Sequence, residues 1–295
     1  MIQRANLTGG LYVLCLIMVA TMALRDHAKD DPHLSPAGFI PSPEIGNEPP
    51  GFTTAFDLKP SVANGIQNDG WTFVNAKGVA DGDVYYAVRD GREVIEFRYP
   101  EGQSDAYPGG NGRVTYDEGV LDGPYNYYRF EDVWMDPLFH GHQSGVNKFG
   151  FLSFDNERDQ NVLSIFGSDL GTLRPTIGTQ GDLPDARYSP NYTSARNQNL
   201  ANYDAGQDEF TRGEYHTMEY LHYRGTAGNT DGWFMFWLDG VLIMHYENVG
   251  LMAPGIRNYQ GWDFGPIWGG TGDITPQDMF LRTGRIYASY GDSLR

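Results

Sequence analysis

The sequence predicts an all-β protein, a two-sheet β-jelly-roll sandwich. Short runs alternate apolar and polar side chains, turn residues separate them at near-regular spacing, and no convincing helix pattern follows the N-terminus. A supply of 38 Gly and 17 Pro suits many tight turns, and 295 residues fit one large all-β domain with a short appendage. Strands without β-α alternation point to two packed sheets.

The appendage comes first. Met1 to Arg4 carries one basic side chain, and Leu7 to Leu24 is apolar apart from Thr and Gly. Residues 1–24 therefore read as a secretory signal, with Thr21-Met22-Ala23 offering small residues for cleavage. An uncleaved membrane anchor is the alternative, because this run is about the shortest that spans a bilayer. Either reading expects a secreted, periplasmic or cell-surface protein that meets a membrane only through this segment. Residues 25–69 include a Pro-rich stretch expected to be a linker or a strap lying on the domain, and the jelly-roll domain is expected over 70–295.

Composition narrows the function. The single cysteine, Cys15, lies in the apolar run, so no disulfide can staple the folded part. A net charge of -17 argues against non-specific nucleic-acid binding, which needs clustered Lys and Arg. It also repels polyanions at long range, so an acidic glycan would need a local basic cluster. An aromatic content of 14% suits a wide aromatic-lined surface.

Strands follow in order. Val84 to Arg89 and Glu93 to Tyr99 flank Asp90-Gly91, a tight-hairpin signal. Tyr125 to Met135 is the longest run, followed by Phe149 to Phe154 and Val162 to Phe166. Tyr215 to Tyr223 leads to Trp233 to Leu238, which turns at Asp239-Gly240 into Val241 to Tyr246. Leu281 to Tyr290 is the last. Alternation puts Tyr125, Tyr127, Arg129 and Glu131 on one face of the long strand, and Tyr128 and Phe130 on the other. Two readings of such mixed faces stand side by side. Tyr, His, Arg and Glu together suit a sugar-binding groove, and they equally suit a sandwich whose outer face is covered by loops.

Five segments carry a resemblance: F-H-G-H-Q-S-G-V-N-K-F-G-F (Phe139 to Phe151), T-L-R-P-T-I (Thr172 to Ile177), R-G-E-Y-H-T-M-E-Y (Arg212 to Tyr220), D-G-W-F-M-F-W-L-D-G (Asp231 to Gly240) and W-D-F-G-P-I-W-G-G (Trp262 to Gly270). In order and spacing they resemble exported proteins of the polysaccharide lyase-like group, within the concanavalin A-like lectin/glucanase superfamily. The H-x-S-G-V-N-K and P-x-W-G-G stretches are the most specific. The resemblance implies the concanavalin A-like sandwich, a polysaccharide partner, and β-elimination on a uronic-acid glycan.

That reaction needs a group to neutralise the carboxylate, one to remove the C5 proton, and one to protonate the leaving oxygen. His142 or Tyr127 is the expected proton carrier, with Arg129, Asn147 and Lys148 on the carboxylate. His140, Gln143, Arg174 and Trp268 are expected substrate contacts. Structural alternatives accompany these roles. His142 and Ser144 can cap a tight turn at Gly145, Lys148 can pair with Asp132 or Glu131, and Trp268 can plug a corner between glycines. A non-catalytic glycan-binding or cell-surface structural protein is the second functional reading. A glycoside hydrolase is the third, weakened by the missing E-x-D-x-x-E pattern. No cofactor is required, and a structural Ca2+ held by loop oxygens suits an acidic sandwich without disulfides.

Overall fold

The computed structural model describes residues 46–65, 72–74, 77–103, 113–116, 123–153, 160–180, 187–193, 208–255, 261–269 and 272–294. The expected signal or anchor segment, and most of the Pro-rich stretch, lie outside these. In chain order the strands are β1 (Thr53–Leu58), β2 (Thr72–Val74), β3 (Val84–Arg89), β4 (Arg92–Tyr99), β5 (Arg113–Tyr116), β6 (Tyr125–Met135), β7 (Val146–Ser153) and β8 (Gln160–Phe166). They continue as β9 (Arg174–Gln180), β10 (Arg187–Thr193), β11 (His216–Tyr223), β12 (Gly232–Leu238), β13 (Val241–Val249), β14 (Gly261–Trp268), β15 (Met279–Thr283) and β16 (Ile286–Gly291). One short helix, α1 (Lys77–Ala80), precedes β3. No helix among the described residues is long and apolar enough to cross a membrane.

These strands form two antiparallel sheets. The nine-stranded sheet runs β13-β12-β11-β6-β15-β4-β3, with β16 also on β6 and β1 on β16. The seven-stranded sheet runs β10-β9-β8-β7-β14-β5-β2. Both turn signals form as expected. Asp90-Gly91 and Asp239-Gly240 have φ of 51° and 78° in each case, the pair of positive angles that a two-residue hairpin of right-handed twist requires.

Three features differ from the sequence reading. Leu281 to Tyr290 is two strands, because β6 bends at Asp132 (φ 53°) and its edge passes from β16 to β15 there. Gly284 donates to the Glu131 carbonyl and Glu131 to the Arg285 carbonyl at this junction. The sheet also begins before position 70: Thr53–Leu58 pairs with β16 through alternating Phe56 and Leu58, which enter the core. Alternation does not delimit strands β2, β5, β9, β10 and β14, several being two-sidedly polar or interrupted by Gly and Pro.

Between the sheets, four phenylalanines meet. Phe97 of β4 and Phe130 of β6 face Phe149 of β7 and Phe264 of β14, with centroids 4.8 Å apart for Phe149–Phe264 and 5.0 Å for Phe130–Phe149. Edge-to-face packing of this kind adds to the burial of each ring. The outer face of the nine-stranded sheet carries a second apolar layer. Tyr127, Leu221, Trp233, Met235, Trp237 and Tyr287 are all buried, with Phe52 and Leu294 packed on them. Phe130→Ala should leave a cavity between the sheets and cost about 3–5 kcal/mol. Urea unfolding should show this as a lower midpoint with an unchanged slope.

Candidate functional site

Alternation along β6 and β11 brings Tyr127, Arg129 and Glu219 together on the outer face of the nine-stranded sheet, Arg129 standing directly opposite Glu219 in the pairing. Glu219 is almost fully buried, and its carboxylate is met from several sides. Tyr127 Oη donates at 2.6 Å, the Asn47 backbone N–H at 2.6 Å and Asn47 Nδ2 at 3.2 Å, while Arg129 Nη1 lies 3.3 Å away. A second carboxylate, Glu131, accepts from Arg129 Nε at 2.8 Å. Burial pushes the Tyr127 hydroxyl well above its ordinary value, and the Glu219 charge adds to this, so Tyr127 holds its proton. For Arg129, burial works against the charge, but Glu131 and Glu219 outweigh it.

Asn47 belongs to a strap, Gly46 to Phe52, that crosses this face just before β1. Glu48 on the same strap accepts from Tyr287 Oη at 2.8 Å. Gly46 has φ +61°, and a Cβ there would collide with the Arg129 guanidinium and the Glu219 carboxylate. The position needs glycine for both backbone angle and close approach. Beside the strap opens a hollow of about 490 Å³, lined by Gly46, Asn47, Arg129, Thr217, Glu219, Asp239 and Gly240.

Asp239, at the far wall, is held by His216. The ring Nδ1 is 2.7 Å from Asp239 Oδ2, and Nε2 is 3.0 Å from the Thr211 carbonyl. Burial opposes the charged ring, but the bonds to Asp239 and Thr211 prevail and raise the His216 pKa above the ordinary histidine value. Burial likewise opposes the Asp239 charge, but His216 and the Thr217 N–H lower its pKa overall.

The remaining expected residues lie elsewhere. His142 is buried in the turn between β6 and β7. Ser144 N–H donates to His142 Nδ1 at 3.0 Å, and Gly145 (φ 79°) donates to the His142 carbonyl. Its ring stands edge-on to Trp268 at 4.9 Å. Trp268 is a buried plug whose indole N–H donates to the His140 carbonyl at 2.8 Å. Asn147 is buried too, donating to the Ile165 and Gly167 carbonyls and accepting from His142 N–H. Gln143 reaches the Gly272 carbonyl at 2.6 Å. Lys148 sits in the seven-stranded sheet between Ser164 and Ile267, and Arg174 pairs with buried Asp208 at 3.1 Å.

The expected convergence of Tyr127, Arg129, His142 and Lys148 over one groove therefore does not form. The end of β6 at Met135 is eight positions beyond Tyr127, at most roughly 26 Å of extended chain, and facing sheets lie about 10 Å apart. A group in the second sheet cannot reach the outer face of the first. The most specific motifs instead build one corner joining the sheets. Arg212 completes it by donating to the Phe139, Gly171 and Asp169 carbonyls.

Sequence reading missed Glu219, Asp239 and Asn47 as members of the site. Glu219 was legible in principle, as a carboxylate on the same parity as Leu221 and Tyr223. Asp239 reads as a turn residue and Asn47 as linker. Among the described residues no group of three His, Cys, Asp or Glu is placed to hold a metal ion.

By sequence, the chain matches no protein-family model and no curated protein. By structure, it is similar to alginate lyase Aly36B, with a TM-score of 0.53 and 15% identity over 84% of this chain and 100% of that one. It is also similar to the endo-β-1,4-glucuronan lyase of the fungus Trichoderma reesei, with a TM-score of 0.52 and 11% identity over 81% and 96%. The alginate lyase of Aplysia kurodai gives a TM-score of 0.53 and 14% identity over 80% and 98%. The two-sheet β-jelly-roll fold is thus shared with these lyases.

Stability should follow the His216–Asp239 pair. The raised histidine contributes stability below its unfolded pKa of about 6.5 and loses it as pH rises through the folded value. The lowered aspartate contributes above its unfolded pKa and loses this as pH falls through the folded one. Melting midpoints measured across pH should show the His216→Gln penalty largest between the two folded titrations and shrinking above the raised one.

Proposed function

We propose that this chain is a carbohydrate-active protein that cleaves a uronic-acid glycan by β-elimination on the outer face of its nine-stranded sheet. One observation carries the reading. Arg129 and Glu219 line an open hollow side by side, with Tyr127 hydrogen-bonded behind Glu219 at 2.6 Å. Arg129 is the cation among the hollow's described lining residues, and its guanidinium has five N–H donors with which to bind a uronate carboxylate. Pairing there acidifies the C5 proton. Glu219 is the adjacent proton acceptor. As the C5–H electrons form the C4–C5 double bond and the C4–O4 bond breaks, the Glu219–Tyr127 dyad returns a proton to O4. The lyase fold of the structural neighbours supports this assignment, and the alginate and glucuronan named for them suggest the glycans to try. A secreted, periplasmic or cell-surface location goes with it, supported by the apolar Leu7 to Leu24 run.

A second reading, non-catalytic glycan binding, is favoured by a specific fact: Arg129 is already shared by Glu131 and Glu219, and Tyr127 is fully buried.

Incubation with alginate, glucuronan and glycosaminoglycans should raise the absorbance of unsaturated uronate ends. Arg129→Ala should lower kcat/KM by about 10²-fold, the scale for losing a charge-stabilising donor. Binding without any unsaturated product, across several pH values, would replace the lyase with the second reading.

A further inference from the structure

We infer that this face receives a glycan by its end, with the strap Gly46 to Phe52 acting as the stop; the inference rests on the reading that the outer face of the nine-stranded sheet is the glycan site. The strap crosses three strands at once. Gly46 lies on Arg129 of β6, Asn47 on Glu219 of β11, and Glu48 on Tyr287 of β16. Past it, along β6 and β11, the outward side chains are closed off: Tyr125, Tyr127, Leu221 and Tyr223 are all buried. Before it lies the hollow, with Thr217 and Glu219 beneath and Asp239-Gly240 as the far wall.

From Arg129 the face stays accessible in one direction. Glu131 keeps 29% of its side chain exposed and Arg285 keeps 20%, both in one ion-pair network with Arg129. An interior stretch of polysaccharide needs a trough open at both ends, whereas the strap and the buried side chains past it close this face on one side. Its volume of about 490 Å³ falls in the range of small-molecule sites, about 300–1,000 Å³. The lining suits a terminal sugar: Glu219 and Asp239 accept from hydroxyls, and Arg129 donates to a hydroxyl or carboxylate. The stop is held by hydrogen bonds from the Asn47 backbone and side chain to Glu219, and from Tyr287 to Glu48.

A length series of alginate and of glucuronan, titrated onto the full chain, tests this without needing turnover. For an end-binding site, the polymer mass needed for half-saturation rises in direct proportion to chain length. Two kinds of variant should abolish that dependence: Asn47→Ala with Glu48→Ala, which removes the strap's side-chain bonds to Glu219 and Tyr287, and Gly46→Ala, which lifts the strap by collision. Melting midpoints identify any variant that fails to fold, and the other then serves. A wild-type mass requirement independent of length overturns the stop and leaves the glycan site standing. Binding by the strap variants alone also overturns it, since the strap would then be a cover. Binding by no form overturns the site itself and the stop with it.

Discussion

Strand β6 is hydrogen-bonded along one edge to β11 and along the other first to β16 and then to β15, so its register is fixed from both sides. Up to Glu131 its side chains alternate, and a slip of one residue would exchange the faces. Tyr128 and Phe130 would leave the core, and Tyr127 and Arg129 would enter it. The four-phenylalanine contact between the sheets and the carboxylate site on the outer face are therefore two consequences of one alignment. Neither can be altered by sliding the strand without losing the other.

Glu219 shows what that alignment has to accommodate. A carboxylate with almost no exposure is costly unless charge partners and donors surround it. Here a tyrosine, an arginine and both nitrogens of one asparagine do so. Two of those donors come from the strap, which makes the site and the chain ahead of β1 a single energetic unit. The same logic explains the glycine at Gly46, where the backbone itself approaches the ion pair too closely for any side chain. The acidic balance of the chain is visible locally as well: Arg129 is bracketed by Glu131 and Glu219, so a bound anion competes with resident carboxylates for it.

Much of the architecture was legible because it depends on local rules. Asp90-Gly91 and Asp239-Gly240 announce their hairpins through backbone angles few other residues tolerate, and Tyr125 to Met135 announces its strand through length and alternation. The site was only half legible. Tyr127 and Arg129 could be placed on one face by counting, but their partner Glu219 is 90 positions from Arg129 and is brought alongside by strand pairing alone. His142, Asn147 and Trp268 look chemical because imidazole, amide and indole have catalytic uses. In the fold the same groups satisfy backbone carbonyls and amides at a buried corner, a task that leaves an equally distinctive pattern of residues. Polar residues of this kind are ambiguous until their surroundings are known, since burial decides between the two uses.

The two-part edge of β6 also bears on how the protein is made. Glu131 and Arg285 are 154 positions apart, and β1 joins the sheet through β16. During vectorial synthesis the central strand waits with an unpaired edge until those late residues emerge, and contacts of such long range close slowly. Nascent chains thus carry that open edge from the synthesis of Met135 until that of Ile286, in which time it can mispair with other strands.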